Sequence, residues 1–438
     1  MRNVVGVSVA WENSLTAAAR RHNGTIRSWT GTDAAFARGS STRPSSTSAC
    51  RLWRIPSCRP SGAEATEPTY PLHARACGAC GLVQLPQFEP AANIFEQYLY
   101  YSSYSESWLL HAESYAAEMI VRAKLGAASE VIEIASNDGY LLQYFLRAGI
   151  RALGIEPASG PAAAAIAKGI PTRICYFGRD VATALRTEGH RPELIVANNV
   201  LPHVPDINDF VAGLRILLPE TGRATLELPH LLHLIGAIQF DTIYHEHLSY
   251  FSLATLERVF RAHALRVFDV DELPTHGGSL RLHVCSENAP RSASLALESL
   301  RRRETLAGLD RPASYRDFQA KVAAKRETIR DFLVAARRAG KTVLAYGAPA
   351  KGNTLLNYCD VTRELIPFTV DRNPHKQGLL LPGSHLPIRD PAALIAARPD
   401  YVFILPWNLK DEIIAQLAEV RAWGGQFVVP APDLTIIS

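Results

Sequence analysis

The chain has 438 residues, 47% of them hydrophobic and 20% charged, with a formal net charge of +4. That is long enough for two or three domains with proper cores, and the charge is too small to make nucleic acid or a membrane surface the main partner. No apolar run reaches the roughly 20 residues that span a bilayer, and seven scattered cysteines, an odd number, argue against a secreted disulfide framework, so a cytoplasmic enzyme is the expectation.

Residues 1–69 are rich in Ser, Thr, Ala and Arg, with a low-complexity run over 39–48. No helical or strand period holds for long, and a disordered extension is expected. The Arg-rich, acid-poor composition also fits an organelle transit peptide. A third reading is a start site or reading frame that is not the ancestral one. Residues 70–118 carry Cys77-Gly-Ala-Cys80, a Cys-x2-Cys knuckle. A structural zinc takes four ligands, and a second such pair is missing. Cys50 and Cys58 lie at another spacing in the low-complexity segment, and His73 has no better claim. A tyrosine-dense stretch with Tyr98, Tyr100, Tyr101 and Tyr104 leads into a helix expected over 107–124.

Residues 119–285 read as a cofactor domain. Glu130 to Ala135, with Glu133 inside it, is a buried parallel strand, Ser136-Asn137-Asp138-Gly139 a tight turn, and a helix follows. Gly139 and Asn137 suit unusual backbone angles. A second strand from Ala152 ends at Glu156, where doubly wound folds place the acid that holds ribose hydroxyls. The turn lacks the G-x-G-x-x-G of dinucleotide binders. A cofactor with an adenosine and no diphosphate fits better, which points to S-adenosylmethionine. A strand from Glu193 ends at Asn198 and Asn199, with His203 just beyond. Ligands sit beyond the carboxyl ends of such strands.

A further strand over 224–229 precedes an insertion that holds Tyr244-His245-Glu246-His247. Such a run is costly to bury unless each group finds a partner, and it suits acid–base chemistry near neutral pH. From the residues alone a solvated polar loop and a catalytic site are both open. A metal pair is the weaker reading. His245 and His247 share a face if the run is a strand, but this is not the helical H-E-x-x-H arrangement. His263 and His276 read as surface or loop histidines, and the glycines of His276-Gly-Gly-Ser-Leu-Arg281 mark a close backbone approach at the start of a late strand.

Residues 286–325 read as a helical linker whose Arg301-Arg-Arg-Glu304 run is a solvated face. Residues 326–438 read as a smaller α/β unit, with strands over 366–370, 401–405 and 426–429. Loop amides before a helix, with Lys351, make a plausible phosphate seat, although not a Walker motif. Asp371 follows a strand end.

Five motifs carry a resemblance: Cys77-x2-Cys80-Gly-Leu-Val-Gln-Leu, Glu133-Ile-Ala-Ser-Asn-Asp-Gly139, Asn198-Asn-Val-Leu-Pro-His203, Tyr244-His-Glu-His247 and His276-Gly-Gly-Ser-Leu-Arg281. From about residue 69 onward the chain resembles the sugar C-methyltransferase family, which methylates a carbon of nucleotide-linked deoxysugars in bacterial natural-product pathways. The resemblance implies a central class I methyltransferase doubly wound sheet, a second Rossmann-like C-terminal unit and an N-terminal zinc segment, degenerate here. It implies S-adenosylmethionine held by Glu133, Ser136 to Gly139, Glu156, Asn198 and Asn199. It implies His247 as the base, helped by Glu246, Tyr244, His203 and Tyr98. Tyr346, Lys351, Asn353 and Asp371 would hold the nucleotide part of the substrate. Cys77 and Cys80 are the metal candidates, at less than one zinc per chain because half the site is absent. A monomer is expected. The competing readings are an inactive nucleotide-sugar-binding relative and a nicotinamide-dependent oxidoreductase.

Overall fold

The computed structural model describes residues 8–12, 49–51, 69–95, 100–309, 311 and 313–438. Most of the 1–69 segment, Cys58 and Tyr98 therefore lie outside the described residues. Two stretches of that segment are strands, although no periodicity marks them. Ser8–Glu12 runs parallel to His73–Cys77, and Ala49–Arg51 runs antiparallel to Thr69–Pro71. Both are formed by pairing with the knuckle region rather than by a pattern of their own.

The central sheet has seven strands: β1 (Glu130–Ile134), β2 (Arg151–Ile155), β3 (Thr172–Arg173), β4 (Leu194–Asn198), β5 (Arg223–Pro229), β6 (Leu265–Leu273) and β7 (Ser279–Ser286). Their order is β6-β7-β5-β4-β1-β2-β3. Only β7 runs against its neighbours. β1 and β7 are buried at every position, as strands covered on both faces must be. This is the class I methyltransferase α/β arrangement. Helix α1 (Glu106–Arg122) begins at Ser105, whose side chain accepts from the Trp108 amide and caps the first turn. Its buried face of Ala112, Tyr115, Ala116 and Met119 lies on one side of the sheet.

A second sheet of six strands follows: β8 (Val343–Tyr346), β9 (Thr369–Val370), β10 (Ile388–Arg389), β11 (Tyr401–Ile404), β12 (Gln426–Val429) and β13 (Thr435–Ile437). The order is β10-β9-β8-β11-β12-β13, parallel except for the last. The strand expected over 366–370 is only its last two residues, since Pro367 has no N–H to give a ladder. Helix Phe318–Arg338 crosses from the linker into this unit and buries Phe318, Val322, Ile329 and Leu333 there.

One apolar cluster joins three parts of the chain. It contains Leu72, Ala74 and Val83 of the knuckle region, Phe240, Ile243 and Tyr250 of the insertion after β5, and Leu355, Tyr358 and Phe403 of the second unit. The insertion is thus clamped between the knuckle and the C-terminal sheet. The charged run at 301–304 is only partly solvated. Glu304 is buried, accepting from the Ala254 and Leu253 amides at a helix start and pairing with His230 at 2.6 Å.

Candidate active site

The first half of the site is the turn after β1. Ala135, Asn137 and Gly139 all have positive φ, at 55°, 51° and 75°. A Cβ at Gly139 would lie 2.1 Å from Ile170 Cδ1, so close packing as well as backbone angle requires glycine. Glu156 sits at the end of β2 as the sequence suggests. Its two oxygens accept from the Asn137 and Ala158 amides, each at 2.8 Å. It therefore fixes the turn itself and the start of the next helix. Asn137 is turned outward. Its Oδ1 accepts from the Ser102 amide at 2.9 Å and its Nδ2 donates to the Tyr100 carbonyl at 3.0 Å, which straps the tyrosine segment over the turn. Asp138 pairs with Lys168 at 3.1 Å.

Several buried atoms around this turn have no hydrogen-bond partner among the described residues: both oxygens of Glu133, Ser136 Oγ, Asp138 Oδ1 and Asn198 Oδ1. Burial, with the carboxylates of Glu156, Asp138 and Glu227 near by, pushes Glu133 well above the ordinary carboxylate range. Buried polar groups need partners. S-adenosylmethionine brings donors that these lack: an ammonium and two ribose hydroxyls. The residues fit that cofactor. Asn199 has a φ of 55° and gives its amide to the Glu227 carbonyl at 2.7 Å, joining the ends of β4 and β5.

The second half is the Tyr244–His247 run, the candidate for acid–base chemistry. Tyr244 to His247 is a tight turn and not a strand, closed by the His247 amide on the Tyr244 carbonyl at 2.9 Å. The two imidazoles consequently leave in different directions. His245 Nε2 donates to the Pro71 carbonyl at 3.1 Å, and its ring lies against Tyr70 and Phe88. It ties the turn to the knuckle region. His247 Nδ1 faces the Thr242 carbonyl at 2.9 Å, and its Nε2 faces the Tyr244 hydroxyl at 2.8 Å. A carbonyl only accepts, so Nδ1 carries the hydrogen, and the lone pair of Nε2 receives the Tyr244 O–H. Burial, then the neighbouring His203, hold His247 well below its ordinary value. His203 stands edge-on with ring centres 4.8 Å apart, and burial brings it down to about 4. Glu246 is pushed up to about 7 by burial, against the pull of Lys376.

Residues from the second unit complete the wall. Trp407 Nε1 donates to Asp241 Oδ2 at 2.6 Å. Lys351 lies 4.1 Å from the centre of the Trp407 ring and donates to Asn408 Oδ1. Gly277, at φ +88°, meets the same indole: a Cβ there would be 2.5 Å from Trp407 Cη2. The close approach signalled by the glycine pair is real, and its partner is Trp407. His276 is not a surface histidine. It stands edge-on to Trp108 with centres 5.2 Å apart, and burial, then Lys351, bring it down to about 4. Trp108 also stacks on His111, which pairs with Glu227 at 2.8 Å; Glu227 in turn accepts from Arg281 Nε at 2.7 Å. This network pins α1 to β5 and β7.

The remaining predicted residues stand as follows. Tyr346 donates to Gln416 at 3.2 Å, Asn353 is buried with its Oδ1 unpartnered, and Asp371 accepts from the Ala348 and Asn373 amides. Asp371 thus shapes the loop after β8. Cys77 and Cys80 sit together in a knuckle closed by the Gly81 amide on the Cys77 carbonyl at 2.9 Å. No group of three or more His, Cys, Asp and Glu able to hold a metal lies among the described residues. Asp241, Trp407 and His276 all lie in stretches that the sequence singles out, Trp407 just beyond a strand end, but no role follows for them from the sequence alone.

A family model described as a methyltransferase domain matches residues 109–270, and one described as a C-methyltransferase C-terminal domain matches residues 274–432. The C-methyltransferase NovU of Streptomyces niveus is 34% identical over 372 residues, 85% of this chain and 89% of that protein. The chain belongs to the C-methyltransferase family. This C-methyltransferase depends on S-adenosylmethionine, and the nicotinamide-dependent reading falls away. Its two family matches meet just before His276, where the Gly277–Trp407 contact joins the units. Among solved structures, the magnesium protoporphyrin IX methyltransferase of Synechocystis with bound S-adenosylmethionine is 13% identical, covers 40% of this chain and 78% of its own, and has a TM-score of 0.32. The YcgJ protein of Bacillus subtilis is 14% identical, at 40% and 95% coverage and a TM-score of 0.31. Both likenesses are too slight to build on. No described helix of this C-methyltransferase is long and apolar enough to cross a membrane.

Proposed function

We propose that this C-methyltransferase methylates C3 of a nucleotide-linked 4-keto deoxysugar through an enolate. The observation that carries the proposal is the state of His247. Its Nδ1 hydrogen is committed to Thr242, its Nε2 lone pair is directed at Tyr244, and burial holds it neutral. A neutral imidazole whose one ring lone pair is held only by an exchangeable hydroxyl is the group a carbon acid needs. A ketone acidifies the proton on its neighbouring carbon, which is why the reading requires the 4-keto group.

S-adenosylmethionine supplies the electrophilic methyl group, held by Glu133, Ser136, Asp138 and Asn198. Arrival of the sugar draws the Tyr244 hydroxyl away from Nε2 toward the ketone oxygen. His247 then takes the C3 proton, and Tyr244, with His203 and Tyr98, donates to the oxygen as charge develops, where donors gain most. Glu246 binds or polarises the sugar beside them. Holding the two reactants together supplies much of the remaining acceleration. The second sheet, with Tyr346, Asn353 and the loop shaped by Asp371, receives the nucleotide.

The test is mass spectrometry of a panel of nucleotide-linked keto and non-keto sugars incubated with S-adenosylmethionine. The reading expects a gain of one methyl on a 4-keto sugar alone. Equal methylation of non-keto sugars would overturn it.

A further inference from the structure

Among the described residues, Lys351 makes no salt bridge. It stands in the first turn of helix Ala350–Tyr358, after β8. Its Nζ has one hydrogen-bond acceptor among the described residues, Asn408 Oδ1, and lies over the Trp407 ring at 4.1 Å. The acid that feels it, Asp241, has its Oδ2 already bonded to Trp407 Nε1. Protein surrounds the ammonium closely enough to bring it down to about 8, with burial as the leading cause. An enclosed charge of this kind is costly unless something repays it, and such groups cluster at working sites.

Its surroundings place it beside the catalytic turn. Trp407, on which it rests, is bonded to Asp241, three residues before Tyr244, and touches Gly277, next to His276. Both His247 and His276 are held low in part by its charge. An ammonium has three donors, and Asn408 takes one. The loop sequence alone reads Lys351 as part of a phosphate seat.

We propose that Lys351 is a catalytic residue that stabilises the enolate oxygen. The inference rests on the keto-sugar reading above. In the step, the C3–H bond breaks and its proton passes to His247 Nε2. The electron pair moves into the C3–C4 bond, and the carbonyl π pair moves onto the C4 oxygen. Lys351 donates a hydrogen bond to that oxygen and keeps its proton. The second unit thereby contributes to the chemistry as well as to binding.

The test is exchange of the C3 hydrogen in heavy water, with S-adenosylhomocysteine present and no methyl donor. It uses the full-length enzyme and a saturating nucleotide-linked 4-keto deoxysugar. Lys351→Met is expected to slow exchange by about 10²–10³-fold, the usual loss for one oxyanion donor, while affinity for the nucleoside diphosphate of that same sugar is unchanged. Lys351→Arg is expected to recover part of the rate. Lys351→Gln, which stays polar at Asn408, replaces the Met variant should that fail to fold. Exchange at the wild-type rate in the neutral variants overturns the inference. So does a loss confined to affinity for that nucleoside diphosphate, which would return Lys351 to a phosphate seat. Absence of both exchange and methyl transfer in the wild type overturns the keto-sugar reading itself.

Discussion

Ser136–Gly139 and Tyr244–His247 are both short turns lined with polar groups, yet they are held by different kinds of contact. The first is set by what lies beside it in the sheet. β1 delivers it, three residues of positive φ bend it, and Glu156 from the adjacent strand end fixes its amide. The second is set from a distance. Pro71 holds His245, the Leu85 amide bonds Leu248, Phe240 packs on Tyr358 at 5.0 Å, and Trp407 bonds Asp241. A cofactor shared by many folds can be met by one strand–turn–helix. The Tyr244–His247 turn is placed by contacts from the knuckle region and from the second unit, as the proposed base would need to be.

The contrast can be broken at either turn. The largest effect is expected of His247→Ala, which should lower turnover by about 10²–10⁴-fold, the usual worth of a positioned base, with S-adenosylhomocysteine binding unchanged. Near-wild-type turnover would remove His247 as the base. Next comes Gly277→Ala. It places a Cβ against Trp407 at a positive φ, and should cost about 1–3 kcal/mol of stability, read by thermal denaturation. An unchanged melting temperature would mean that the indole is not fixed where it stands. Glu133→Gln should weaken S-adenosylhomocysteine binding by about tenfold, the worth of one charged hydrogen bond, and leave the Tyr244–His247 turn intact. Equal affinity in calorimetry would separate Glu133 from the cofactor.

The smallest effect is one of pH. His247 is depressed below 6.5, so it stays neutral, and able to accept a proton, as pH falls through 6.5. Glu246, raised to about 7, is the group that titrates near neutrality. If its ionised form is the active one, turnover rises through pH 7, and Glu246→Gln abolishes that limb. A limb that survives the substitution belongs to another group.

Much of the cofactor half was legible because its signals are local. Period, turn residues and the spacing from Ser136 to Glu156 lie within one βαβ unit. The Tyr244–His247 half was legible in composition only. Nothing local says that Tyr244–His247 is a turn, because the contacts that make it one come from Pro71 and from a cluster spanning the knuckle and the C-terminal helix. His276 read as a loop histidine because its enclosure comes from Trp108 of α1 and from the second unit. Glu304 read as part of a charged face because its partners, His230 and the amides at 253–254, lie some fifty to seventy residues away in sequence. Asn137 reads as a cofactor residue, and the bonds of its side chain to Ser102 and Tyr100, some thirty-five residues away, have no local signal.

The central claim is that a carbon of the sugar receives the methyl group. The most direct measurement is nuclear magnetic resonance of the product formed with S-adenosylmethionine carrying a heavy-carbon-labelled methyl. A labelled methyl coupled through one bond to C3 of a 4-keto sugar is the expected result, and a labelled methoxyl or N-methyl signal would contradict it.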